Sequence, residues 1–253
     1  MTKLTACLAL LFAIPAGVYG QRGRPASAAN ASAKATAPID LTGYWVSLVT
    51  EDWRWRMVTP ARGDYPSIPL NDAGKRAANA WDSSKDEAAG EQCKAYGAGN
   101  IIRQPGRLHI TWEDDNTLRA DFDAGTQTRL FHFSDWRAPA GPPTLQGDSI
   151  AEWEFAGGGR GRGQAIQGRG GDLKVVTNHL RPGYLQKNGV PYSGNAIVTE
   201  YFHRADEENG DSLLIVTTMV EDPQYLTRQF LRSTHFKKLP DASGWNPQPC
   251  TAR

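Results

Sequence analysis

The chain has 253 residues, of which 28 are Lys or Arg and 27 are Asp or Glu, so its formal net charge is only +1. A charge this close to zero excludes proteins that hold nucleic acid or an acidic membrane surface mainly through bulk basic charge. After the first twenty residues, no apolar run approaches the roughly 18 residues of a membrane-spanning helix, so stable membrane insertion is not expected.

The amino terminus has the pattern of a cleaved signal peptide. Residues 1–20 contain one early cation, Lys3, then an apolar run from Leu4 to Ile14, then small residues that suit a signal peptidase. The pattern predicts export, with the mature protein in the periplasm or secreted. Residues 21–38 are rich in Ala, Ser, Gly and Arg and have no apolar period, which predicts a disordered linker.

The cysteines bear on the compartment. Cys7 lies in the predicted signal peptide, so removal of the signal leaves two cysteines, Cys93 and Cys250, and the loss of Lys3 leaves 27 basic and 27 acidic residues. In an oxidising compartment, we expect Cys93 and Cys250 to form a disulfide. Two separate buried thiols are the alternative.

The remaining residues, 39–253, are predicted to form a single domain built mainly from β-strands. Alternating apolar and polar residues between turn signals mark the strands. After a first β-rich segment at 39–46, the predicted strands cover residues 107–113, 117–123, 126–133, 150–155, 173–181, 195–204, 212–220 and 228–237. Many short strands with short turns predict an antiparallel, lipocalin-like barrel with one short helix and long loops.

Two segments interrupt this run of strands. Residues 71–81 are the one predicted helix, with Asn71 as its N-cap. Residues 156–171 are rich in Gly and Arg and cannot pack a core, so they are predicted to be a loop insertion on the surface.

The first predicted strand begins with Gly43-Tyr44-Trp45, which resembles the G-x-W signature of lipocalins. In that family the Trp closes one end of the barrel beneath an arginine of the last strand. The resemblance implies a buried Trp45 with Arg232 as its partner.

A longer resemblance extends over most of the predicted domain. The matching stretches are residues 40–45, 147–154, 173–177, 188–193, 198–202 and 221–226. They are similar to a family of exported bacterial β-rich proteins that open with D-L-[ST]-G-x-W and contain a D-P-x-x-[YF] segment. The resemblance implies export, one β domain and a disulfide between Cys93 and Cys250, and it carries no activity.

The most unusual segment, residues 52–57, is a candidate ligand site. If the segment is extended, alternation places Trp53 and Trp55 on one face. Arg54 and Arg56 then lie on the other face. The indoles could stack on a ligand, and the guanidinium groups could grip a carboxylate or phosphate. The alternative places the Trp side chains in the core and the Arg side chains outside, bridging to nearby aspartates.

The five histidines lack the spacing of a metal motif, so no metal site is predicted, although one assembled across strands stays open. His109 and His132 lie among apolar neighbours, where the pKa of an imidazole can shift. They are candidates for general acid or base catalysis together with Arg129. Further candidate ligand-binding residues are Gln127, His179 and Tyr184. Structural hydrogen bonding is the alternative role for all of these side chains.

The sequence favours an exported barrel that binds a small, partly aromatic or anionic molecule, because eight Trp occur without a catalytic signature. No cofactor is expected, since no P-loop, dinucleotide fingerprint or serine-hydrolase elbow is present. One alternative is a cofactor-independent isomerase, lyase or hydratase that uses an interior His or Asp beside Arg or Tyr. A structural or interaction domain without a ligand is the second alternative. The oligomeric state is left open.

Overall fold

The described part of the chain consists of short elements that follow the turn signals of the sequence. In the computed structural model, the described residues are 31–50, 52–155 and 171–253. The predicted signal peptide, the linker before residue 31 and all of the predicted insertion except Gly171 lie outside them. Ser32 to Arg253 belong to one unit, which holds every helix and strand given below.

Nine of the described strands close into a barrel, in the order β1-β11-β10-β9-β6-β5-β4-β3-β2. They are β1 (Gly43–Leu48), β2 (Arg107–Asp114), β3 (Thr117–Phe122), β4 (Gln127–His132), β5 (Asp148–Phe155), β6 (Gly171–Asn178), β9 (Ile197–Asp206), β10 (Ser212–Glu221) and β11 (Phe230–Leu239). Two further strands, β7 (Gly183–Gln186) and β8 (Val190–Tyr192), pair only with each other within the described chain. The predicted β-barrel is confirmed, and the strands predicted from residue 107 onward lie within a few residues of their predicted bounds.

An odd number of strands imposes one parallel contact. Neighbours can alternate in direction all the way round a closed barrel only if the number of strands is even. The parallel contact lies between β4 and β5, where Phe131 pairs with Ser149 and His132 pairs with Ile150. Residues 133–147 provide the long crossover that a parallel pair needs. The prediction of an antiparallel barrel is therefore corrected at this one pair of neighbours.

Trp45 is fully buried, and its indole Nε1 donates a hydrogen bond to the carbonyl oxygen of Leu41 at 2.9 Å. The cation above its ring is Lys238, whose Nζ lies 5.3 Å from the ring centroid. Lys238 is the cross-strand neighbour of Trp45 on β11, whereas Arg232 hydrogen-bonds to Ser67. The predicted pairing of Trp45 with Arg232 is wrong, because the register between β1 and β11 brings Lys238 to that position.

Alternation along each strand determines what fills the barrel. On β6, Leu173, Val175 and Thr177 are buried, while Lys174 and Val176 between them are partly exposed. The same rule directs the apolar side chains of the other strands inward, and their burial supplies most of the stabilisation at about 25 cal/mol per Å² of apolar surface.

The connection between β1 and β2 contains the helices. They are α1 (Trp53–Arg56), α2 (Asp72–Asn79) and α3 (Ser83–Ala88), followed by single 3-10 turns at Lys94–Tyr96 and Ile101–Arg103. The predicted helix is α2, and the Asn71 side chain accepts a hydrogen bond from the backbone N–H of Gly74 at 2.9 Å. The prediction of a single helix misses α1 and α3, because elements of four and six residues are too short to display a helical period.

The predicted linker ends earlier than expected. Ala33 is buried, its backbone N–H donates to the Asn116 side chain at 2.9 Å, and its carbonyl oxygen accepts from Trp153 Nε1 at 2.9 Å. The backbone N–H of Lys34 donates to the carbonyl oxygen of Asp115 at 3.0 Å. Residues from Ala33 onward therefore pack on the barrel, and composition alone concealed this because the anchoring contacts are made largely by the backbone.

Cys93 and Cys250 form a disulfide; their Cα atoms are 5.1 Å apart, and the two residues are 157 positions apart in sequence. The predicted pairing is confirmed, and the alternative of two separate thiols is wrong. The bond joins the start of the Lys94–Tyr96 turn to the carboxyl-terminal segment.

Candidate functional site

The three residues predicted to act in catalysis lie on opposite sides of the barrel wall. Arg129 points into the barrel, where its guanidinium group donates to the two carboxylate oxygens of Glu200 at 3.0 and 2.6 Å and to the Thr177 hydroxyl at 3.1 Å. Both partners of this ion pair have fully buried side chains. His132 is three residues further along β4, and an odd spacing on a strand reverses the face. The predicted grouping of Arg129 with the histidines is therefore wrong.

The two candidate histidines are stacked on aromatic rings outside the barrel. His109 lies parallel to Tyr44 at 3.9 Å between ring centroids, and His132 lies parallel to Trp136 at the same distance. Partial burial lowers the pKa of both imidazoles, although Asp121 opposes the shift at His109. The expected pKa shifts are present, but each histidine stands apart from Arg129.

The other predicted ligand residues, His179, Gln127 and Tyr184, do not meet at one site. His179 lies beyond the end of β6, is exposed, and its Nδ1 is 2.7 Å from a carboxylate oxygen of Asp148. Tyr184 donates to the Asp86 carboxylate at 2.7 Å, and burial followed by this hydrogen bond raises the pKa of its phenol. Gln127 donates to a backbone oxygen in the β3–β4 turn at 2.7 Å.

The Trp and Arg side chains of residues 53–56 do not alternate as a strand would place them, because the segment is the helical turn α1. Trp53 is exposed, and Arg54 pairs with Asp64 at 2.7 Å while lying over the Trp55 ring. Arg56 is buried and donates to the carbonyl oxygens of residues 48 and 103 at 2.8 and 3.0 Å. The proposed two-face arrangement is wrong, and the alternative is right only for the outward, aspartate-bridged Arg54.

A cleft of about 660 Å³ lies at the end of the barrel where β2 begins. Its walls consist of residues 56–59, 96, 104–107, 123–125 and 187, and of residues 246, 248, 249, 251 and 253 near the disulfide. Gly125, with a φ of +72°, lets the β3–β4 turn approach the Tyr96 ring so closely that a Cβ atom there would lie 2.4 Å from it. Of the residues predicted from sequence to bind a ligand, only Arg56 lines this cleft.

Arg107 lines the cleft, and no acidic side chain of the described chain forms an ion pair with its guanidinium group. Within the described chain its guanidinium group makes no hydrogen bond or ion pair, and its Nε atom is buried. The one acidic side chain that lines the cleft, Asp123, accepts the backbone N–H of Arg107 at 2.6 Å. The backbone of Arg107 is thus fixed at the start of β2, while its guanidinium group keeps donors that have no acceptor among the described residues.

Lys187 contributes a further positive charge to the wall of the cleft. Its Nζ atom donates to the hydroxyl groups of Tyr96 and Thr251 at 3.3 and 3.0 Å and to the main-chain oxygen of Arg253 at 2.9 Å. None of these partners is an acidic side chain. The ammonium group is therefore oriented by two hydroxyl groups and one main-chain oxygen.

The sequence did not predict that Arg107, Lys187 and Tyr96 line the same cleft. Arg107 opens a predicted strand, and Lys187 lies between two short strands that were not predicted. No motif connects them, and their approach depends on the β7–β8 hairpin and the disulfide-linked segment meeting at one end of the barrel.

The described residues define a closed nine-stranded β-barrel protein with a disulfide and a basic cleft at one barrel end. No protein-family model, no curated protein and no solved structure matches the chain. Among the described residues, no helix has both the length and the apolar character that crossing a membrane requires. Nor do these residues contain a group of three or more His, Cys, Asp or Glu side chains suited to holding a metal ion.

Proposed function

We propose that the protein binds a small anionic molecule in the cleft at the barrel end. The observation that carries the proposal is Arg107, whose guanidinium group faces no acidic partner among the described residues and whose Nε is buried. A buried, unmatched donor on a charged group is costly, and an anion would relieve that cost through charge-assisted hydrogen bonds.

The volume and walls of the cleft fit a molecule that is only partly polar. A cleft of about 660 Å³ is in the size range of sites for small organic ligands. The Tyr96 ring and the side chains of Met57, Val58 and Pro105 offer apolar contacts beside the basic residues of the cleft. An aromatic or aliphatic acid matches this combination better than a small inorganic ion does.

The proposal includes the compartment in which the protein acts. The Cys93–Cys250 disulfide favours an oxidising compartment, in keeping with the export signal predicted at residues 1–20. We propose that the protein acts in the periplasm or after secretion. The three residues predicted for the enzyme alternative do not form one group, because the barrel wall separates Arg129 from His109 and His132, whose side chains lie outside the barrel.

Arg107→Gln tests the proposal directly. Calorimetric titration with benzoate and with phenyl phosphate should show about tenfold weaker binding for the variant than for the wild type, because a charge-assisted contact is lost. Arg54→Gln is the matched control, since Arg54 is exposed, bound to Asp64 and outside the cleft.

Benzamide serves as the neutral ligand in the same titrations and should bind more weakly than benzoate. The proposal fails if benzoate and phenyl phosphate do not bind the wild type. It also fails if Arg107→Gln binds both anions as tightly as Arg54→Gln does.

A further inference from the structure

Next to the cleft lies a small recess of about 10 Å³, lined by Trp55, Arg56, Asn100, Arg103, Gln104, Gln186 and Lys187. Three of these residues, Arg56, Gln104 and Lys187, also line the cleft. The recess and the cleft therefore share part of their lining. Its volume is about that of one water-sized sphere, so it admits a single oxygen atom and excludes a ring.

Two buried donors of the recess lack acceptors. Within the described chain, neither Arg103 Nη1 nor Gln186 Nε2 has a hydrogen-bond partner. Arg103 is only 8 % exposed and Gln186 only 7 % exposed. The other terminal nitrogen of Arg103 reaches Asp52 at 3.3 Å, which leaves Nη1 for another acceptor.

The remaining polar groups of the recess do not supply that acceptor. Asn100 and Gln104 donate through their amide nitrogens to the carbonyl oxygen of Ala95 at 2.9 and 3.2 Å, and their amide oxygens accept from neither Arg103 Nη1 nor Gln186 Nε2. Among the described residues, no acidic side chain lines the recess, whereas Arg56, Arg103 and Lys187 are basic. The recess thus joins excess donors to positive charge, which is the environment that favours an oxyanion.

We infer that the recess is the subsite for a terminal oxyanion of the ligand. One carboxylate or phosphate oxygen enters it and accepts hydrogen bonds from Arg103 and Gln186, while the rest of the ligand lies in the cleft beside Arg107. This inference rests on the proposed function and narrows the ligand to a molecule that ends in a carboxylate or phosphate group.

The direct test follows the side-chain amide of Gln186 by NMR in the wild-type protein. Acetate, inorganic phosphate, benzoate and phenyl phosphate are the probes, with benzamide as the neutral comparison. The amide protons of Gln186 should shift with the oxyanions and stay in place with benzamide. Comparing the carboxylate and phosphate arms identifies which oxyanion the recess prefers.

Gln186→Met provides the binding test, because it removes the donor while keeping a similar length and volume. It should weaken benzoate or phenyl phosphate about tenfold, with a melting temperature close to that of wild type. Gln229→Met is the matched control, since Gln229 is exposed and lines neither the cleft nor the recess. If Gln186→Met does not fold, the amide shift in the wild type still decides the matter.

The possible failures are distinguishable. Unchanged Gln186 amide signals, in a protein whose anion binding still depends on Arg107, would mean that the recess takes water only and would overturn this inference alone. The absence of any anion binding by the wild type would overturn both the inference and the proposed function.

Discussion

At the scale of single residues, Arg54 and Arg56 have opposite roles although one residue separates them. Arg54 is exposed and forms a surface ion pair with Asp64. Arg56 is buried and satisfies backbone carbonyl oxygens on two segments, at residues 48 and 103. An extended chain would have put both side chains on one face, whereas the helical turn separates them by about 200°.

The difference predicts unequal effects on stability. Arg56→Gln should lower the free energy of unfolding by about 1–3 kcal/mol, because buried carbonyl oxygens lose their donors. Arg54→Gln should change it by about 0.5 kcal/mol or less, as is usual for exposed pairs. Urea denaturation of the two variants beside the wild type measures both effects, and equal losses would contradict the assignment.

At the scale of elements, the disulfide links the 3-10 turn that presents Tyr96 to the carboxyl-terminal segment that forms another wall of the cleft. That segment is also held by the backbone, since the N–H of Gln248 donates to the carbonyl oxygen of Asp123 at 2.8 Å. The carbonyl oxygen of Gln248 accepts a hydrogen bond from the Thr126 hydroxyl at 3.1 Å. The segment therefore has both a covalent and a hydrogen-bonded attachment to the barrel end.

Replacing both cysteines by serine should destabilise the protein by about 3–5 kcal/mol, because the unfolded chain regains the entropy of a long closed loop. Thermal and urea denaturation measure this loss. Reduced wild type is the matched comparison and should fall to a similar stability. A double variant as stable as the oxidised wild type would show that the bond constrains little.

At the scale of the whole molecule, one buried ion pair crosses the barrel interior. Arg129 on β4 and Glu200 on β9 are separated by β5 and β6 around the wall, yet their side chains meet inside it. Thr177 on β6 joins them and is bonded in turn to the Ser149 hydroxyl on β5 at 2.8 Å. The interior is thus partly polar, and the polar groups connect four neighbouring strands.

Replacing one partner of this ion pair should lower stability more than replacing both partners by apolar residues. Glu200→Leu and Arg129→Met should each lower the free energy of unfolding by about 3–5 kcal/mol, because each disrupts a buried pair. The double replacement Arg129→Met/Glu200→Leu should cost less than the sum of the single changes. A double-mutant cycle by chemical denaturation measures the coupling, and strict additivity would contradict it.

Much of the architecture could be predicted from the sequence because local rules decide it. Alternation marked the strands, Asn71 marked the start of α2, and two cysteines after the predicted signal peptide indicated the bond between Cys93 and Cys250. These signals survive in a single chain because strand period, cap chemistry and cysteine count depend on few or no distant contacts.

The tertiary structure alone decided which side chains share a site. Strand register put Lys238 rather than Arg232 over Trp45, and a local helical turn sent Arg56 inward. The cleft joins Arg107 and Lys187 through packing at the barrel end. Such contacts depend on closure of the barrel and on loops that cross one end of it. The forces that produce them act between residues far apart in the chain. No local pattern records them, so the sequence by itself determined the barrel and the disulfide, and the fold determined where the proposed anion site lies.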